Sequence, residues 1–223
     1  MECTKSVGAF SRQRKEGIRN LAVASIDAFN VPWELRSTPR EKMETYKTYP
    51  HNPPHLFREN AIYFLTASTY KKVWHFRSSV AKTFLLDSIS RAFGESGWTI
   101  IDWVVLDNHY HLLVNATESP ELLPNIIRNI HRFTATFVNK NGLAVEGAAH
   151  IWHNYWDTCI KTVGAFYTIA HYIWRNPVKH GYVNDPFDWE FGSFQTRFES
   201  EADYCAKIMA EYPLDRLQLR DDF

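Results

Sequence analysis

A chain of 223 residues with 45% hydrophobic and 15% aromatic content holds one sizeable domain with extensions, or two small ones. Its net charge of zero hides nine Lys/Arg against six Asp/Glu in residues 1–54, twelve against nine in 55–183, and four against ten in 184–223. This excludes the dense positive field of a DNA-coating protein and leaves a modest phosphate-binding face in the centre. Cys3, Cys159 and Cys205 are too few and scattered for a disulfide framework or a cysteine zinc site. No apolar run reaches bilayer-spanning length and no signal-peptide core follows Met1, so no membrane association and a cytoplasmic location are expected.

Residues 1–54 read as an N-terminal extension, with an amphipathic helix over Arg14–Phe29 and then chain broken by Pro32, Pro39, Pro50, Pro53 and Pro54. Ala61–Thr69 is rich in β-formers and reads as the first core strand. Ser78 or Ser79 caps a helix over Val80–Phe93, with Val80, Phe84, Leu85, Ile89 and Phe93 at helical spacing, ended by Gly94 and Gly97. Trp98–Leu106 and His109–Asn115 form a hairpin across Asp107-Asn108. Pro120–Asn139 is a second helix with Leu123, Ile126, Ile127, Ile130, Phe133 and Phe137 on its apolar side. Ile151–Ile160 is the fourth strand, and Thr162 or Gly164 opens the helix that carries Tyr172. The order strand, helix, strand, strand, helix, strand, helix predicts an α+β fold: a ferredoxin-like split βαβ antiparallel sheet with an added C-terminal tyrosine-bearing helix. Residues 55–198 form this domain, and 199–223 an acidic tail.

Two segments carry chemistry. In Leu106-Asp107-Asn108-His109-Tyr110-His111, strand alternation puts both imidazoles on one face and Tyr110 and Leu112 on the other. Paired neutral imidazoles begin a divalent-metal site; two polar residues on a half-exposed strand are the plain structural alternative. In His171–Gly181, Tyr172 and Asn176 are four apart and share a helix face, where a phenol and an amide oxygen can approach one metal-bound phosphate. Pro177 predicts a kink or stop at Asn176, with Gly181 as the stop if helix resumes. A histidine-triad hydrolase needs a third histidine at position 113, which is Leu113. Trp74, His75, Tyr110, Trp152, Tyr155 and Trp174 are candidate base-stacking rings, most of them better read as core.

In these segments, together with Ile151-Trp152-x-x-x-Tyr155-Trp156 and Asp188-Trp189-x-Phe191-x-Ser193-Phe194, the chain resembles the REP-associated branch of the single-tyrosine HUH transposases, from about Pro54 to Phe198. The resemblance implies a transposase that cleaves single-stranded DNA beside a hairpin and rejoins it through a 5′-phosphotyrosine. It implies Tyr172 as nucleophile, and His109, His111 and Asn176 as ligands of Mg²⁺ or Mn²⁺. Arg128, Arg132, Arg175 and Lys179 are the expected DNA-binding cations. The partner is single-stranded or hairpin DNA, with a monomer favoured over a homodimer. A domesticated protein that binds or nicks hairpin DNA as a host function is the alternative reading.

Overall fold

A computed structural model describes residues 47–49, 52–55, 61–117, 119–146 and 150–216, with side chains from Ala61 onward. The helix expected over Arg14–Phe29 lies outside the described residues. Where the prolines pointed to irregular chain, strands β1 (Lys47–Tyr49) and β2 (Asn52–His55) pair antiparallel. A strand with no inner neighbour on one side tolerates the missing proline donors, and the ladder is irregular between Lys47 and Tyr49.

The core follows the expected order. β3 (Ala61–Thr69) leads to α1 (Ser79–Glu95), then to the hairpin of β4 (Thr99–Val105) and β5 (His109–Ala116). Next come α2 (Leu123–Lys140), β6 (Trp152–Ile160), α3 (Val163–Lys179) and α4 (Phe194–Glu211). The sheet order β4-β5-β3-β6 is antiparallel throughout, with β5 inserted between β3 and β4, as a ferredoxin-like split βαβ unit requires. Ser78 caps α1 by accepting from Ala81 N at 3.2 Å, and Thr162 caps α3 by accepting from Ala165 N at 3.1 Å.

The sheet is apolar on both faces. α1 and α2 cover one face, packing on Tyr63, Leu65, Ala67, Tyr110, Leu112 and Val114. α3 and α4 cover the other, packing on Ile62, Phe64, Ile101, Val104 and Leu113. Two residues of the expected apolar stripes stay exposed: Val80, in the first turn of α1, and Phe133, against which the Arg132 guanidinium rests at 4.8 Å. On the α1/α2 side, His131 stacks flat on Trp152 at 4.3 Å and its Nε2 lies 3.1 Å from the Tyr110 hydroxyl.

Two expectations about the C-terminal part are corrected. Pro177 does not stop α3: the helix runs on to Lys179 before Gly181 ends it at φ 72°. The domain also does not end at residue 198, because α4 continues to Glu211 and buries Cys205 and Ile208 against α3; Glu199, Asp203 and Glu211 are exposed, and Glu201 pairs with the buried Arg197 at 3.1 Å. Between the two helices, residues 189–193 cover the β4 edge: Phe191 O accepts from Val105 N and Trp103 O accepts from Ser193 N, both at 2.9 Å. No described helix is long and apolar enough to cross a membrane.

One buried node ties these layers together. Asp102 on β4 is fully buried, and its Oδ1 accepts from Trp174 Nε1 of α3 (2.9 Å), Ser193 Oγ (2.8 Å) and Arg197 Nε of α4 (3.0 Å). Arg197 also donates to Ile101 O at 2.8 Å. Breaking a buried pair on one side leaves an uncompensated charge, so Arg197→Ala should destabilise the fold by about 3–5 kcal/mol in denaturant titrations; an unshifted midpoint would refute this role. A second expectation concerns pH. Burial pushes His131 down to about 3, so the unfolded chain binds a proton near pH 6.5 that the folded chain refuses. Stability should therefore fall as pH drops from about 6.5 towards 3, by up to about 1.4 kcal/mol per pH unit from this residue, and His131→Gln should flatten that slope in the same titrations.

Candidate functional site

The face covered by α3 is also the face that carries the histidine pair. Thr66 pairs with His111 and Ser68 with His109 across β3 and β5, so four polar side chains follow the apolar Ile62 and Phe64 on one side of the sheet. His109 and His111 lie 5.1 Å apart by ring centroids. From α3, Tyr172 meets His111 edge-on at 5.3 Å, and Asn176 Oδ1 lies 3.3 Å from His109 Nε2. The ridge continues by another four residues to His180, whose ring is 4.8 Å from His109. Thr66, Ser68, Lys72, Trp74, His109 and His111 are among the residues lining a cleft of about 530 Å³ over this cluster. Tyr172 lies beneath it, 3% exposed, with its hydroxyl 3.5 Å from Lys179 Nζ.

Supporting hydrogen bonds orient the rings. Asn108 Nδ2 donates to Lys72 O at 3.0 Å, which turns Asn108 Oδ1 towards His109 Nδ1 at 2.7 Å. That oxygen only accepts, so Nδ1 carries the proton and Nε2 of the neutral ring presents a lone pair to Asn176. A lone pair facing the Asn176 carbonyl oxygen at 3.3 Å is repulsive unless a proton or cation lies between them. Asn176 is fully buried, and its Nδ2 makes no hydrogen bond among the described residues; the buried Ser68 hydroxyl makes none either. Thr66 Oγ1 holds His111 Nδ1 at 2.9 Å. The turn before His109 is pinned by a nearly buried Lys82–Asp107 pair at 2.6 Å and by the Tyr182 phenol on Asp107; burial and then the nearby carboxylate push that phenol up to about 12.

Among the described residues no three His, Cys, Asp or Glu side chains form a metal-holding cluster. The available donors are two imidazoles and one amide oxygen, a mixed set that leaves coordination positions for water or a phosphate oxygen.

Two curated proteins match the chain: a REP-associated tyrosine transposase of Escherichia coli (31% identity over 93 residues, 41% of this chain) and one described as putative in Haemophilus influenzae (28% over 105, 44%). The chain is related to the REP-associated tyrosine transposases. It spans about half the length of these relatives, 52% and 59%. No family model matches. The fold is that of a solved REP-associated tyrosine transposase bound to a REP hairpin, with a TM-score of 0.55 over 71% of this chain and 87% of that one, at 22% identity.

Of the residues singled out from the sequence, His109, His111, Tyr172, Asn176 and Lys179 come together. Arg175 lies half-buried on α3 near His171, where it adds to the burial that lowers the His171 pKa. Arg128 and Arg132 are exposed on α2, across the sheet from the cleft. Trp174 and His75 are buried: the first donates to Asp102, and the second accepts from Val145 N at 3.0 Å, so neither ring faces a substrate. Thr66, Ser68, Asn108 and His180 were not foreseen. The sequence signal for His180 is its spacing of four from Asn176; for Thr66 and Ser68 it is the polar alternation that ends an apolar strand.

The hydrogen-bond chain makes a checkable statement about His109. Long-range ¹H–¹⁵N spectra at pH 8 should show its Nδ1–H tautomer, and Asn108→Ala should shift it towards Nε2–H; an Nε2–H ring in the unaltered protein would contradict the assignment.

Proposed function

We propose that the chain is a DNA-processing transposase that cleaves single-stranded DNA at hairpin sequences and rejoins it through a 5′-phosphotyrosine. The observation that carries this reading is the meeting of Tyr172 and Asn176, from one helix, with His109 and His111, from one strand, where the two histidines line a cleft. His109, His111 and Asn176 are the residues that would hold Mg²⁺ or Mn²⁺, two imidazoles suiting Mn²⁺ at least as well. Such an ion supplies charge withdrawal from a non-bridging phosphate oxygen.

The chain's own residues do the rest. Asn108 and Thr66 keep the two imidazoles in place, which preserves the geometry on which attack depends. The Tyr172 ring turns out of its edge contact with His111 to reach a phosphate in the cleft. Its oxygen loses its proton and bonds to phosphorus as the bond from phosphorus to the 3′-oxygen breaks; the 3′-oxygen takes up a proton and leaves as a hydroxyl. The Lys179 ammonium beside the phenolic oxygen offsets the charge that develops there. The reverse attack by a 3′-hydroxyl rejoins DNA without a hydrolytic water. Hairpin DNA as the partner is supported by the hairpin bound to the related protein.

Labelled hairpin DNA with a single-stranded flank, incubated with the protein and Mn²⁺, should give an adduct that survives a denaturing gel. A chelator and Tyr172→Phe should each abolish it, and Lys179→Met should slow its formation by roughly 10²-fold. An adduct undiminished by Tyr172→Phe would overturn the proposal.

A further inference from the structure

Trp74 is 53% exposed, more than any other large hydrophobic side chain among the described residues, and it lines the same cleft as His109 and His111. Leaving an indole in water forgoes burial that a core aromatic would gain. The backbone beneath it is pinned on both sides. Val73 O accepts from Thr69 Oγ1 at 2.7 Å and from His75 N at 2.9 Å, and Phe76 N donates to Asp107 O at 2.9 Å. Just before it, Lys71 and Lys72 both occupy the left-handed region, at φ 52° and 55°, a conformation that costs a non-glycine residue of order 1 kcal/mol or more. The second of these strained residues presents the carbonyl that orients Asn108 and, through it, His109. One rigid turn therefore sets both the His109 ring and the position of the exposed indole.

The surroundings select the occupant. Residues 70–81 contain Lys71, Lys72, Arg77 and no acid, and the Arg77 guanidinium lies 5.8 Å from the Trp74 ring. Lys72 lines the cleft itself. An exposed aromatic flanked by cations, beside a pocket that suits a phosphate, fits a base whose own backbone runs past those cations. A base inside a duplex, stacked on both sides, cannot present its face to such a ring.

We propose that Trp74 is a stacking platform for an unpaired nucleobase adjoining the phosphate seated at His109 and His111, with Lys71, Lys72 and Arg77 along its backbone. This rests on the reading of the cleft as a single-stranded DNA site. Trp74 is a positioning residue: it places the strand and takes no part in bond making.

The test uses the full chain in chelator, so that no cleavage intervenes, and two hairpins, one with a single-stranded flank bearing 2-aminopurine and one without a flank. The flanked hairpin should bind with quenching of the 2-aminopurine, and Trp74→Ala should weaken it by about 5- to 100-fold and remove the quenching. Trp74→Phe, which keeps an aromatic face, should retain most of the affinity, and binding of the unflanked hairpin should be the same for all three proteins. Equal affinity of Trp74→Ala and the unaltered chain for the flanked hairpin would overturn the inference, as would an equal loss on both hairpins. Flank-dependent binding without any adduct in Mn²⁺ would count against the catalytic reading alone, whereas failure to bind either hairpin would overturn both.

Discussion

The site exists because α3 is seated on the histidine-bearing face of the sheet, and a buried carboxylate holds it there. Asp102 on the edge strand gathers the Trp174 indole from α3, the Ser193 hydroxyl from the connecting segment and the Arg197 guanidinium from α4. A buried ion pair adds little net stability over an apolar core of the same shape, but it tolerates few alternative arrangements. Trp174 lies two residues from Tyr172 and two from Asn176, so fixing its indole fixes the rotation and height of the ridge that faces His109 and His111. Phe166, Ile169 and Ile173 add apolar packing, which sets closeness more than register.

Around that seating the polar groups form short chains that hold the two imidazoles and the turn before them. Lys72 acts on Asn108 and Asn108 on His109; Thr66 acts on His111; Lys82 and Tyr182 act on Asp107, at the base of the same turn. Side chains that orient a donor matter nearly as much as the donor, because a misaimed lone pair no longer reaches its partner. The cost is visible in the strained Lys71-Lys72 turn and in the buried polar atoms of Asn176 and Ser68.

Much of this was legible in the chain because two periods reveal it. A period of two places His109 and His111 together, and a spacing of four places Tyr172 with Asn176; both hold whatever surrounds them. The element order was readable from capping serine and threonine residues and from glycine stops, and it led to the correct sheet. What escaped depends on contacts far apart in sequence. That Thr66 would meet His111 follows from the register of β3 on β5, which no local pattern encodes. Trp174 looked free for stacking because its partner, Asp102, is seventy-two residues away. Pro177 misled because a proline weakens a helix without dictating its end, and here it is buried among the packed residues Ile173, Trp174 and Asn176. The acidic residues after 198 suggested a tail because charge was visible and the buried stripe of Cys205 and Ile208 was sparse.

The proposed reaction turns on one atom, the phenolic oxygen of Tyr172. Its most direct measurement is tandem mass spectrometry of the peptide that carries nucleotide after reaction with hairpin DNA and proteolysis. A phosphonucleotide on Tyr172 is the predicted result; one on Tyr167, Tyr182 or any other residue would contradict the account.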